Sequence, residues 1–293
     1  MRYGLIALIA FAVLAAAEDR PTMSGVLASS SPSDWRRPLP ENTLYMNLDS
    51  GRVVFELAPH FAPAHIANIR TLVNDRYFDE LAIIRSQDNY VVQWGDPNAG
   101  NDGARAMGDA AEMLDPEFHR GAAGLTFAKL DSRDAYAAEV GLSAGFPAGR
   151  DGPDGRAWLA HCYGMLGVGR GDAPRSGNGA ELYVVTGHAP RHLDRNVTLI
   201  GRVIDGIEHL TTLPRGTSPL GFYESEDQYV PIRSIRFGSE LPVDQRLPIE
   251  LLRTDTQTFR RLVEARRYRA EAWFVDPADR IDICNVPLPA RTP

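Results

Sequence analysis

What most limits the fold of this chain is a succession of short apolar or β-branched runs broken by turn chemistry. They fall at residues 43–48, 52–57, 81–84, 90–94, 163–168, 181–186, 198–204 and 229–237. Asp49-Ser50-Gly51 between the first two is hairpin chemistry. Only two helical patterns interrupt the series. Pro63 opens one, with Ile66, Ile69, Leu72 and Val73 on a single face, and Ile207, Leu210 and Leu213 mark a shorter one. Many short strands with two helices favour a closed antiparallel β-barrel over a βαβ sheet. No internal repeat is visible.

The remaining segments read as appendages. Residues 1–17 are expected to be a signal peptide: Met1-Arg2 is positive, Leu5 to Leu14 is apolar, and Ala15-Ala16-Ala17 precedes Glu18. The apolar run is shorter than the roughly 20 residues of a membrane span. The chain is therefore expected outside the cytoplasm, in the periplasm of a Gram-negative cell, with no membrane attachment after cleavage. Residues 18–41, rich in Ser, Pro and charge, read as a flexible arm, 42–238 as the barrel domain with an insertion at about 97–160, and 239–293 as a C-terminal extension. Within the insertion, Asp131 and Asp134 followed by Tyr136 and Val140 predict a helix over 131–142, and the Gly/Pro-rich stretch 144–156 predicts an exposed turn. In the extension, Phe259, Leu262 and Val263 predict a helix over 255–269 whose arginines form a solvated face.

Composition excludes some functions. Thirty-one basic against 38 acidic residues, a net charge of -7, argue against nucleic acid as a partner. Two cysteines, Cys162 and Cys284, are too few for a disulfide scaffold or a structural zinc site, and could be a single bridge or two buried thiols. There is no G-x-S-x-G elbow and no P-loop. His188, His192 and Asp194 have a spacing that could ligate a metal, but Gly187 to Arg191 is turn-like and reads as a surface loop, so no metal or cofactor is expected.

One constellation is more specific. Ile83-Ile84-Arg85 followed after four residues by Tyr90-Val91-Val92-Gln93-Trp94-Gly95-Asp96 resembles the signature strand pair of the cyclophilins. Gly164-Met165-Leu166-Gly167-Val168, then 176–185, His192-Leu193-Asp194 and Thr198 to Val203 resemble the family's later segments in the same order, and 63–78 its first helix. The resemblance spans about 43–238. It implies a closed eight-stranded antiparallel barrel capped by two helices, and peptidyl-prolyl cis-trans isomerisation of unfolded or extended proline-containing polypeptides, assisting the folding of exported proteins. By position it implies Arg85 as the catalytic donor to the twisted imide nitrogen. Tyr90, Val91, Tyr183 and Leu193 would form the proline pocket, Gln93 would fix the substrate backbone, and His192 would stand where many members have tryptophan. Departures are equally specific: Val197 takes the place of a pocket histidine, and Glu181 that of a glutamine on the strand facing Arg85, where an Arg85–Glu181 ion pair is expected to compete for the guanidinium. Ser86-Gln87-Asp88-Asn89 replaces an Ile-Pro-Gly type of turn. The rival expectation, favoured by these departures, is a peptide-binding module or chaperone on the same fold.

Overall fold

The computed structural model describes residues 20–293, so the expected signal peptide lies outside the described residues. In chain order the elements are α1 (Met23–Ala28), β1 (Trp35–Arg36), β2 (Thr43–Leu48), β3 (Gly51–Leu57), α2 (Pro63–Asn74), β4 (Ala82–Ser86) and β5 (Val91–Gly95). The insertion adds β6 (Arg120–Gly121), β7 (Ala128–Lys129), β8 (Glu139–Ser143), β9 (Phe146–Arg150) and β10 (Arg156–Leu159). Then come β11 (Met165–Val168), β12 (Leu182–Val185), β13 (Leu199–Asp205), α3 (Glu208–Thr211), β14 (Val230–Phe237), β15 (Glu250–Leu252), α4 (Gln257–Tyr268) and β16 (Ala290–Arg291).

Eight strands close a barrel in the order β11-β12-β5-β4-β14-β2-β3-β13, and each corresponds to one of the eight runs read from the sequence. Alternation sorts their side chains. Val92 and Trp94 of β5, Leu182 and Val184 of β12, and Phe55, Ile83 and Phe237 fill the interior, which α2 closes with Ile66, Ile69, Leu72 and Val73. Pro63 is pre-set for the first turn of α2, but Ala62 offers no side-chain cap. Glu117 of the insertion replaces it, accepting from the amides of Ala64 at 3.0 Å and His65 at 2.9 Å.

A second core lies outside the barrel, where Val91, Tyr183 and Val185 meet Val140, Leu142 and Ala148 of the insertion and Phe259, Leu262 and Ile283 of the extension. Three expectations fail here. The span 131–142 is not a helix: Asp134 instead closes a local turn by accepting from the Tyr136 amide at 2.8 Å, and Val140 and Leu142 alternate into the second core on β8. The stretch 144–156 is not an exposed turn. Ala144-Gly145, both at positive φ, and the largely exposed 151–155 do turn, but 146–149 between them are buried in β9, where the missing Cβ of Gly149 admits the Trp158 ring. Nor is 20–41 a flexible arm. Thr22 caps α1, the fully buried Val26 packs in the second core, and β1 pairs with β15, which also pairs with β16. Local composition is overridden in each case by apolar side chains that find a partner far along the chain. Cys162 and Cys284 form a disulfide that ties the insertion's end to the extension.

Candidate active site

On the outer face of β4, β5, β11 and β12 lies an open groove of about 320 Å³. Arg85, Tyr90, Val91, Gln93, Tyr183 and Leu193 line it, together with Val168, Gly169, Arg170, Gly171, Asp172 and Val197. Simple alternation would aim Arg85 inward with Ile83. The pairing of β4 with β5 instead slips between these two residues, so that Arg85 comes opposite Gln93, and this irregularity delivers the guanidinium to the outside. Across β12, Tyr183 pairs with Gln93 on one side and with Gly167 on the other. A Cβ at Gly167 would sit 2.3 Å from Cζ of the Tyr183 ring, so only glycine lets the ring lie over β11.

The Arg85 fork is held by three acceptors. Its Nε donates to the Leu220 carbonyl at 2.7 Å, Nη1 donates to Gln93 Oε1 at 2.8 Å, and Nη2 donates to Gln87 Oε1. Five N–H groups less these three leave two, one on each terminal nitrogen. The rings of Phe222 and Tyr90 lie 5.2 and 5.6 Å from the guanidinium carbon. Burial lowers the Arg85 pKa, against the pull of Tyr90 and Glu181, yet the group remains a cation.

The expected Arg85–Glu181 ion pair is not made. Glu181 lies beyond Gln93, which accepts from Arg85 and contacts the Glu181 carboxyl from its other side. Burial raises the Glu181 carboxyl above its usual range, while the Gln93 contact and the Arg85 charge oppose the shift. His192 is exposed and does not line the groove, because it rides the outer side of the short turn Arg191–Leu193 that turns Leu193 inward. His188, His192 and Asp194 form no metal-binding group among the described residues.

Several contributors carry no local sequence signal. Gln87 could have been noticed two residues beyond Arg85, just past the end of β4. Leu220 and Phe222 arrive from a distant loop, with an isolated bridge joining Phe222 to Arg85. Beneath Tyr183 lies a buried chain of partners: its hydroxyl is 2.9 Å from His161 Nε2, and His161 Nδ1 is 3.0 Å from Asp194 Oδ1. Arg191 Nε donates to Asp194 Oδ2 at 2.7 Å, and its two terminal nitrogens donate to the oxygens of Asp134 at 2.9 and 3.0 Å. Burial lowers the His161 pKa despite Asp194, and pushes the Tyr183 phenol far above its usual range. Asp194 is held low: burial pushes the other way, but its bonds to His161 and the Arg191 charge together prevail.

The site is thus a fixed donor fork beside an apolar hollow on the wall of a closed barrel. The sequence model of the family described as cyclophilin type peptidyl-prolyl cis-trans isomerase/CLD matches residues 43–236. The probable peptidyl-prolyl cis-trans isomerase of Brucella suis biovar 1 (strain 1330) is 26% identical over 207 residues, covering 70% of this chain and 85% of its own. Among solved structures, cyclophilin AquaCyp293 from Hirschia baltica matches with a TM-score of 0.68 at 25% identity. That match covers 92% of this chain and 97% of its own, so the likeness reaches beyond the barrel. The chain belongs to the cyclophilin-type peptidyl-prolyl cis-trans isomerase family. It is an isomerase of X-Pro peptide bonds.

Proposed function

We propose that the groove is the isomerisation site, with Tyr90, Val91, Tyr183 and Leu193 around the proline ring and Arg85 as the donor to the reacting nitrogen. Amide resonance sets a barrier near 20 kcal/mol to X-Pro rotation. In the twisted state the imide nitrogen becomes pyramidal and accepts a hydrogen bond, which it cannot do when planar. The observation that carries this reading is the arrangement of Arg85: three acceptors fix the fork, and two N–H groups stay unspent beside the apolar floor. Such a fixed donor contributes where the charge develops and needs no reorganisation. Gln93 acts here by orienting Arg85 and by offering its remaining polar edge to the peptide backbone. Glu181, held behind Gln93, tunes this pair from outside the proline pocket.

The substrates under this reading are unfolded or extended proline-containing segments, which an open groove on a barrel wall can admit. The signal-peptide pattern read at 1–17 supports a role on exported proteins outside the cytoplasm, in the periplasm of a Gram-negative cell. Mass spectrometry of the protein recovered from that compartment should give a chain beginning near Glu18, and an intact Met1 would contradict export by cleavage. The activity test is a prolyl isomerisation assay on wild type and Arg85→Ala. Loss of about 2–3 kcal/mol of transition-state stabilisation, tens to about a hundredfold in kcat/KM, is expected with the fold unchanged. Equal rates would leave the groove as a peptide-binding surface only.

A further inference from the structure

We propose that His161 is a positioning residue for the proline pocket, and that the insertion serves the reaction through it. The inference rests on the reading of the groove as the proline site. Two of the pocket's walls, Tyr183 and Leu193, are tied to one buried polar chain. His161 is fully buried, Asp194 is 3% exposed and Arg191 5%. Asp194 is a carboxylate and can only accept, and it accepts from both the backbone amide of His161, at 2.9 Å, and its ring Nδ1. The proton of the neutral imidazole therefore sits on Nδ1, and Nε2 is left as an acceptor. The Tyr183 hydroxyl, kept protonated by its burial, donates to it at 2.9 Å. This bond points the polar end of Tyr183 away from the groove and leaves the ring as an apolar floor.

The same chain fixes Leu193. Arg191 and Asp194 flank it in sequence and bond to each other, and Arg191 is held in turn by the fork-to-fork contact with Asp134 of the insertion. His161 ends the insertion immediately before the disulfide residue Cys162. Tyrosine at 183 thus has a function that phenylalanine could not supply: its hydroxyl is the point at which the insertion grips the pocket. A floor that holds the proline ring equally in the planar and twisted states changes substrate affinity, not the chemical step.

The test is steady-state kinetics on a proline peptide for His161→Leu, Tyr183→Phe and the double variant, with Arg85→Ala alongside and circular dichroism to verify folding. His161→Leu leaves the buried hydroxyl without a partner, and KM should rise about tenfold while kcat stays within about twofold. The double variant removes both polar partners and should recover most of that loss. A purely structural role would lower the active fraction, and so kcat, with KM unmoved. An unmoved KM in folded His161→Leu, or a double variant no better than the single, overturns the inference. If His161→Leu does not fold, Tyr183→Phe decides from the other side of the bond: a KM raised severalfold supports the inference and an unmoved KM overturns it. Failure of Arg85→Ala to lower kcat would instead strike at the assignment of the groove, a separate result.

Discussion

At the scale of single residues, the site is organised by what each polar group is prevented from doing. Arg85 is kept from Glu181 by Gln93, so the carboxylate costs burial energy without silencing the donor. Replacing Glu181 by Gln is expected to change kcat/KM by less than about threefold. It should also raise the melting temperature at pH 7 by on the order of 1–2 °C. The sign follows from the raised carboxyl pKa: protonated Glu181 is tolerated, and the cost appears as pH rises through its folded value. The advantage of Glu181→Gln should therefore vanish below about pH 4, which melting curves across pH would reveal. His161 acts oppositely. Its folded pKa lies below the ordinary value near 6.5, so an unfolded chain takes up its proton first. Stability should be complete above about pH 6.5 and decline as pH falls through the folded value, with Asp194 adding loss in the same direction lower down. His161→Gln should flatten the upper part of that decline. Gly167→Ala would force a Cβ into the Tyr183 ring, and overpacking of about 1–3 kcal/mol should appear as a lower melting temperature and a raised KM.

At the scale of elements, the shell around the barrel depends on a few apolar anchors. Phe259 is 2% exposed and points α4 into the second core, so Phe259→Ala should cost about 3–5 kcal/mol, measurable by denaturant unfolding. The Arg-rich face of the same helix should tolerate substitution at Arg260 and Arg261, both exposed, within about 0.5 kcal/mol. The eight barrel strands were legible because β-branched and apolar residues recur in each run, whereas Tyr90, Val91, Gln93, Tyr183 and Leu193 were assigned to the groove through the resemblance, by position. The strands of the insertion were not legible. Gly141, Pro147, Ala148 and Gly149 look like turn composition, and they lie in strands because small residues there accept the Phe127 and Trp158 rings. The delivery of Arg85 to the groove was legible only by resemblance, since the irregularity after Ile83 leaves no mark in residue type. His161, Asp134 and Leu220 reach the site through tertiary contacts that no window of sequence contains.

At the scale of the whole molecule, three closures hold the chain together: the barrel, the three-stranded sheet of β1, β15 and β16, and the Cys162–Cys284 bridge. The bridge spans 122 residues, and in the loop-entropy account its removal costs up to about 4–5 kcal/mol. Cys284→Ser should thus melt well below wild type under oxidising conditions, and the two should converge in excess reductant. The pairings also set an order in time. The first barrel strand, β2, waits for the last, β14, with Tyr45 opposite Arg236, and Trp35 of β1 waits for Leu252 of β15. A ribosome that releases this chain from its N-terminus therefore holds an open barrel, its β2 edge without β14, until residues 230–237 emerge. The enzyme that eases proline rotation in other chains cannot close its own barrel until a strand far along its own chain has been made.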